Sequence, residues 1–186
     1  MKAMMLAVAL LGGAISTSAS ANLITNGDFS TGTLAGWNVA TQPGDRQYVH
    51  ADGTSGADLG TVKLGSLSQS FATVAGGLYQ ISFDLGNPKK MGTFFSAMFD
   101  GSTLFSVKNT AFKTTTYTFD AVATGATSTL KFAFKNVPDY FFLNNVSVTP
   151  VPEAETYAMM LAGLALMGLV LGSKKRQSDD FGGMSA

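Results

Sequence analysis

The chain has 186 residues, twelve acidic and twelve basic side chains, no cysteine and one histidine. A chain with no net charge lacks the basic surface that phosphate backbones require, so we expect no nucleic-acid partner. Without cysteine the fold has no disulfides, and its stability has to come from a hydrophobic core.

The N-terminal segment has the layout of a secretory signal peptide. Lys2 supplies a positive charge, an apolar run follows it, and Ala19 and Ala21 have the spacing of small residues at a cleavage site. A buried N-terminal helix is the alternative, but the run ends at small polar residues rather than at a helix cap. The sequence therefore predicts export, with a signal peptide at residues 1–21.

Residues 22–149 form one candidate domain with eight Asp, seven Lys and one Arg. Apolar and polar residues alternate along Tyr79–Leu85 and Leu130–Phe134, a pattern typical of half-buried strands. Similar runs, separated by glycine-containing turn signals, are Phe94–Phe99, Leu104–Val107, Tyr117–Asp120 and Tyr140–Thr149. The domain shows no sustained helical repeat. The pattern predicts an all-β fold, a two-sheet antiparallel jelly-roll sandwich of roughly eight to ten strands.

Three aromatic side chains near the start of the domain are candidates for carbohydrate binding: Trp37, Tyr48 and His50. Sugar rings stack on aromatic faces, and nearby polar groups fix their orientation. Tyr48 and His50 are two residues apart, so on a strand they are exposed together or buried together. Trp37 fits a core position at one end of the sandwich better than an exposed one.

The sequence gives little support for catalysis. The two glutamates follow the domain, and no nucleophile elbow or phosphate-binding loop is present. Asp45, Asp52 and Asp58 lie in a glycine-rich stretch and could approach one another, as the two carboxylates of a glycosidase must. Solvation of a loop explains them better. We predict a protein that is not an enzyme and has no catalytic residue.

The C-terminal region consists of a linker at residues 150–156, an apolar segment at 157–173 and a basic cluster with a polar tail at 174–186. A helix over its sixteen residues from Tyr157 to Gly172 is about 24 Å long, against roughly 30 Å of hydrocarbon in a bilayer. It would span a membrane only marginally. The cluster Lys174, Lys175 and Arg176 would stay in the cytoplasm and leave the domain outside. The alternative, a buried helix, needs a soluble domain that surrounds it on every side.

The order of Val151-Pro152-Glu153, an apolar helix and a basic cluster resembles the PEP-CTERM sorting signal. That signal occurs on exported proteins of Gram-negative bacteria that make exopolysaccharide, and a membrane protease called exosortase processes it. Two departures are Ala154 in place of the second proline and a chain that continues to Ala186. The resemblance implies the membrane and an exosortase-like protease as partners, with processing near Pro152 and Glu153.

The domain carries a second resemblance. Asn22–Phe29, Gly36-Trp37 and Leu143–Val148 resemble the ends of galactose-binding-like jelly rolls in bacterial carbohydrate-binding modules. Leu67–Leu85 resembles the choice-of-anchor C family, whose exported domains are often joined to PEP-CTERM tails. Both resemblances imply a jelly roll, and the first implies extracellular polysaccharide as a partner.

Such jelly rolls commonly hold a structural calcium between the first and last strands. This chain has Ser30 and Asn144 where the family places carboxylates. Alternation in the last strand predicts that one set of side chains points into the core: Tyr140, Phe142, Asn144, Val146 and Val148. Calcium affinity depends on carboxylate charge, so we expect a hydrogen-bonded Asn144, no metal and no cofactor.

These patterns leave three functional hypotheses. The first is an exported, surface-anchored, non-enzymatic protein of the bacterial envelope or extracellular matrix, associated with exopolysaccharide or biofilm. The second is a polysaccharide-binding module, and the third is a divergent glycan hydrolase. We favour the first, with sugar binding as a means of attachment, because both termini address the chain to the cell surface.

Overall fold

In the computed structural model, the described residues are 21–54, 56–152 and 160–167. The predicted signal peptide up to residue 20, Glu153 of the sorting motif and the basic cluster lie outside these ranges. Within the predicted apolar segment, residues 160–167 are helical and exposed. Among the described residues, no helix combines the length and the apolar character needed to cross a membrane.

The domain consists of ten strands in two antiparallel sheets. Its strands are β1 Asn38–Ala40, β2 Gln47–Ala51, β3 Ala57–Thr61, β4 Gly65–Ala72, β5 Leu78–Asn87, β6 Phe94–Phe99, β7 Ser102–Lys108, β8 Phe112–Val122, β9 Thr127–Lys135 and β10 Phe141–Pro150. The first sheet has the order β1-β4-β9-β6-β7 and the second the order β2-β3-β10-β5-β8. The predicted jelly-roll sandwich is confirmed.

The core lies between the two sheets and is rich in phenylalanine. Buried and less buried residues alternate along β4 and along most of β5, so one face of each strand packs inward. Aromatic rings from the two sheets meet in the middle, with 5.3 Å between the centroids of Phe83 and Phe132. Phe95 and Phe141 make a second contact at 5.2 Å. Burial of these rings stabilises the fold, which has no disulfide bond.

A β-bulge in β10 reverses the phase of its side chains. The residues that point inward are Phe141 and Leu143 before the bulge, and Val146 and Val148 after it. Between them Asn145 has a positive φ of 49° and is exposed. The predicted inward phase of this strand is therefore right for Val146 and Val148 and wrong for Tyr140, Phe142 and Asn144. One extra residue breaks the period of two, and all three are only partly buried on the outer face.

The N-terminal segment is part of the sandwich and packs along the end of β10. The Leu23 amide donates to the Val148 carbonyl at 2.8 Å, and the Val146 amide donates to the Gly27 carbonyl at 2.9 Å. Asn22 Oδ1 accepts a hydrogen bond from the Val148 amide at 2.9 Å. Both ends of the domain therefore lie at the same end of the sandwich.

Candidate functional site: an aromatic strip on the outer face of the second sheet

Four ring side chains form a continuous strip on the outer face of the second sheet. The aromatic strip consists of His50, Tyr48, Tyr140 and Phe142. Consecutive ring centroids are 6.1 Å, 5.5 Å and 5.0 Å apart. Tyr48 is 54% exposed, and the rings of Tyr140 and Phe142 are partly exposed. The strip therefore offers accessible aromatic surface to a ligand.

A glycine lets the strip cross the sheet. The strand β3 lies between β2 and β10, and its residue opposite Tyr48 is Gly60. A Cβ on Gly60 would lie 3.4 Å from Cβ of Tyr140 and 2.9 Å from the Asp139 carbonyl oxygen. Because glycine places no side chain there, the rings of Tyr48 and Tyr140 meet across β3.

A carboxylate lies beside the rings in the next row of the sheet. Asp58 is opposite His50 on one side and opposite Phe142 on the other. Burial, and then the charge of Asp52, raises the pKa of Asp58 above its usual value, while His50 opposes the rise. The charge of Asp58 is also the largest cause of a raised pKa at Tyr140. The strip is therefore an acidic surface as well as an aromatic one.

A groove of about 580 Å³ continues the strip towards the other edge of the sheet. It is lined by Gly86, Asn87, Pro88, Ala111, Phe112, Lys113, Thr114 and Phe142. Phe142 belongs to both the strip and the groove. The two together cross all five strands of the sheet, a distance of about 19 Å at the usual spacing between strands. Such a length accommodates several consecutive units of a linear polymer.

Hydrogen bonds hold the floor of the groove in place. Asn87 Nδ2 donates to the Thr110 carbonyl at 2.6 Å and to the Lys89 carbonyl at 2.8 Å. Asn87 Oδ1 accepts from Asn136 Nδ2 at 3.0 Å. The loops on both sides of the groove are thus tied to one buried amide, which gives the groove a preformed shape.

The predicted aromatic residues separate into two places. Tyr48 and His50 are exposed side by side, as their spacing predicts. Trp37 is buried, with 8% of its surface exposed, and its ring packs 5.6 Å from that of Phe29. Its indole nitrogen donates to the Asn26 carbonyl at 3.0 Å. Trp37 therefore closes one end of the core and offers no face to a ligand.

Sequence reasoning missed Tyr140 and Phe142, which complete the strip. Their positions in an alternating strand predict a buried face, and only the bulge after Asn144 turns them outward. The signal available in the sequence was the pair Asn144-Asn145, because asparagine tolerates the positive φ that a bulge often requires.

The aspartates of the glycine-rich stretch have different roles. Asp45 accepts hydrogen bonds from the amides of Val62 and Lys63 at 3.1 Å and 3.2 Å, which fixes the loop after β3. Asp52 accepts from the Thr54 amide at 2.8 Å. Of the three, Asp58 is the one that lies within the strip.

Ser30 and Asn144, the residues at the two expected calcium positions, make hydrogen bonds within the protein. The Ser30 hydroxyl donates to Asp28 Oδ1 at 3.0 Å, and Asn144 Oδ1 accepts from the Asn145 amide at 2.7 Å. In the described part of the chain, no cluster of three or more histidine, aspartate or glutamate side chains could hold a metal ion. A metal-free domain stays a prediction.

Comparison with protein families matches residues 150–176 to the PEP-CTERM protein-sorting motif. None of the curated proteins matches the chain. Among solved structures, TmCBM61 in complex with β-1,4-galactotriose is 16% identical with a TM-score of 0.54, and the match covers 71% of this chain and 100% of that one. A CBM4 structure is 16% identical with a TM-score of 0.53, covering 69% and 99%.

A larger protein shares the same architecture in part. The enzymatically active domain of tailspike protein 4 from bacteriophage CBA120 is 13% identical with a TM-score of 0.52. The match covers 70% of this chain, which spans only 21% of the tailspike chain. At these identities the likeness concerns the fold alone. The chain thus combines a match to the PEP-CTERM sorting motif with a jelly-roll fold similar to that of carbohydrate-binding modules.

Proposed function

We propose that this protein is a non-enzymatic, surface-anchored component of an extracellular matrix that binds polysaccharide along the aromatic strip and the adjoining groove. The PEP-CTERM motif implies an exported protein that is anchored through its C terminus and processed by exosortase. The domain would then stand outside the cytoplasm, where polysaccharides of the envelope and the matrix are available to it.

One observation carries the proposal: the exposed ring of Tyr48 and the partly exposed side chains of Tyr140 and Phe142 follow one another across the sheet and continue into a groove. Apolar faces of sugar rings stack on aromatic side chains, and flanking polar groups bind the hydroxyls. A linear surface suits a chain of sugars better than a single one. The likeness to carbohydrate-binding modules supports this assignment at the level of the fold.

The charge of the strip favours one class of polysaccharide. The charges of Asp52 and Asp139 raise the pKa of Asp58. The charges of Asp58 and Asp139 in turn raise the pKa of the Tyr140 hydroxyl. Lys113 lines the groove, but the carboxylates beside the strip repel acidic groups, so uronic-acid polymers are unfavourable ligands along the strip. We propose neutral glycans as the ligand class.

The same geometry supports binding rather than hydrolysis. Asp58 lies half-buried between two rings. Asp52 and Asp139 act on its charge, but they accept hydrogen bonds from the Thr54 and Tyr140 amides, and Asp45 is engaged in fixing a loop. A glycosidase needs two carboxylates that flank one bond with separated pKa values. Turnover of any glycan by the purified protein would promote the hydrolase hypothesis.

The binding test compares strip variants for retention of the full-length protein on insoluble neutral polysaccharides. We expect Tyr140→Ala to weaken retention about fivefold, because one stacked ring contributes about 1 kcal/mol beyond its buried area. Tyr48→Ala should behave similarly. The matched control is Leu64→Ala, which truncates a side chain that is 50% exposed and lines a separate pocket beside the first sheet.

Each outcome decides the matter. If both tyrosine variants lose retention and Leu64→Ala does not, the strip is the binding surface. If all three retain the glycan like the unchanged protein, the strip is not the site. Binding to a uronic-acid polymer is measured in the same way. If the protein binds it as well as it binds neutral polysaccharide, the preference for neutral glycans is wrong, but glycan binding itself is not contradicted.

The processing site is a separate proposal. Within the matched motif, Pro152 and Glu153 mark the region where exosortase would act. Mass spectrometry of the protein at the cell surface should find a C terminus near these residues. An intact chain through Ala186 would show that the motif is not processed.

A further inference from the structure

The end of the sandwich opposite the groove is apolar and almost free of charge. It is formed by the loop between β4 and β5, the loop between β8 and β9, the turn between β6 and β7, and the exit of β10. Residues 72–78, 121–127 and 150–152 contain no charged side chain. We call this surface the apolar end.

The two main loops of the apolar end form one continuous surface. The amide of Gly76 donates to the Ala123 carbonyl at 2.9 Å, and the amide of Ala123 donates to the Gly77 carbonyl at 2.9 Å. The Thr73 amide donates to the Ala126 carbonyl at 3.0 Å. These bonds satisfy six backbone groups of the two loops, which lowers the cost of removing those groups from water.

Large apolar side chains project from this surface. Val74 is 70% exposed, Val122 is 54% exposed, and Leu78, which pairs with Val122, is 37% exposed. Asp120 lies two residues before Val122 on β8, and Asp100, in the turn between β6 and β7, accepts four hydrogen bonds from the loop after β8 and the start of β9. The apolar end thus presents side chains that gain free energy by leaving water.

The apolar end is also where the chain leaves for its C-terminal helix. The Val151 amide donates to the Leu78 carbonyl at 2.9 Å, so the chain passes through this surface as it leaves the domain. From Val151 to Met160, at the start of the described helix, there are nine residue steps. Covalent geometry limits that distance to about 30 Å even for a fully extended chain.

We infer that the apolar end rests on the surface of the lipid bilayer while the protein is anchored. The inference takes C-terminal anchoring from the proposed function and is independent of glycan binding. A tether of this length keeps the apolar end at a high effective concentration near the membrane. Lipid is the partner that fits, because the loops of this surface are apolar and uncharged and because a short linker, which carries Glu153 and Glu155, joins it to the apolar segment.

This contact would orient the binding surface. Along β10, eight residues separate Phe142 in the strip from Pro150 at the apolar end. At about 3.3 Å per residue they hold the strip about 26 Å further from the bilayer. The groove would then face away from the membrane, towards extracellular polymer.

The test places single fluorophores on the full-length protein in vesicles of phosphatidylcholine and phosphatidylethanolamine that contain lipids with quenchers in their acyl chains. The chain has no cysteine, so one introduced cysteine gives one labelled position. The test positions are Val74→Cys and Val122→Cys. Met91→Cys is the matched control, because Met91 is 76% exposed in the loop between β5 and β6 at the opposite end. Leu164→Cys reports the C-terminal helix.

We expect quenching at positions 74 and 122 to exceed that at 91 several-fold. Equal quenching at 74, 122 and 91 would overturn the inference. If 164 is quenched and 74 is not, anchoring stands and docking fails. If 74 and 122 are quenched and 164 is not, docking stands and anchoring by the helix fails. A fluorophore at position 74 could instead be shielded from solvent by a second copy of the protein in lipid-free detergent and show no quenching in vesicles. That result would assign the apolar end to self-association and refute docking.

A second variant tests the same contact without a label. Val74→Asp places a charge on the apolar end, where it would have to enter or approach the bilayer. The resulting exposure of the tether should increase the rate of proteolysis between the domain and the helix several-fold in vesicles. Met91→Asp should leave that rate unchanged, and an equal rate for both variants would count against the contact.

Discussion

Asp100 gives the sharpest test of how the loops of the apolar end are held together. Its carboxylate accepts hydrogen bonds from the Thr129 amide at 2.9 Å, the Ser128 hydroxyl at 2.8 Å, and the amide and hydroxyl of Thr124, each at 3.2 Å. These bonds join the turn between β6 and β7 to the loop between β8 and β9. Asp100 has a positive φ of 49°, a conformation that asparagine also tolerates.

Substitution Asp100→Asn therefore changes hydrogen bonding while leaving the turn intact. The amide group of asparagine presents a donor where the carboxylate presents an acceptor, so at least one backbone N–H loses its partner. The remaining bonds lose the contribution of a full negative charge. Each bond to a charged acceptor contributes about 1.5 kcal/mol or more, but Asp100 is partly exposed and water replaces part of the loss. We expect a loss of about 2 kcal/mol.

For a domain of this size, a loss of that magnitude lowers Tm by roughly 8 °C. Thermal unfolding followed by circular dichroism measures it. The matched control is Asp120→Asn, which removes the same charge from an exposed position on β8. Equal and small shifts for the two variants would refute the reasoning, because they would show that the hydrogen bonds at Asp100 add little to stability.

The pH dependence follows from the same contacts. Burial raises the pKa of Asp100, but the hydrogen bonds from Thr129, Ser128 and Thr124 outweigh it and hold the pKa below 3.8. In the folded state the carboxyl therefore binds a proton less readily than in the unfolded state. Its stabilising effect is complete above pH 3.8 and is lost as the pH falls through the lowered pKa. The Tm difference between the unchanged protein and Asp100→Asn should shrink in that acidic window.

Three further predictions concern the strip, the core and calcium. Gly60→Ala should lower the free energy of unfolding by about 1–3 kcal/mol and weaken glycan retention, because the new Cβ would lie 2.9 Å from a loop carbonyl oxygen. The control Gly125→Ala should be tolerated, because the nearest atom to its new Cβ would be 3.8 Å away. Trp37→Phe should lower Tm, at a cost of about 1 kcal/mol for the lost hydrogen bond, and leave retention on polysaccharide columns unchanged; weaker retention by the folded variant would place Trp37 in the binding surface. Added calcium or a chelator should leave Tm unchanged, because Ser30 and Asn144 supply no carboxylate, and a rise with calcium would contradict this.

The sequence predicted two of the four aromatic residues of the candidate site. Tyr48 and His50 follow from spacing along one strand, and their shared exposure needed no knowledge of the fold. Tyr140 and Phe142 could not be assigned from the sequence, because alternation alone places them in the core. The bulge reverses that assignment, and its position depends on how β10 pairs with β5.

The sequence by itself determined the class of fold and the presence of a sorting motif for export. Alternation of apolar and polar residues specifies strands through local geometry, as in Tyr79–Leu85, and the motif at residues 150–176 is recognised as a linear sequence. Only the tertiary structure decided that Gly60 separates two tyrosines and that Trp37 is buried. Those facts depend on strand register and sheet packing between residues far apart in the chain, which local patterns do not encode.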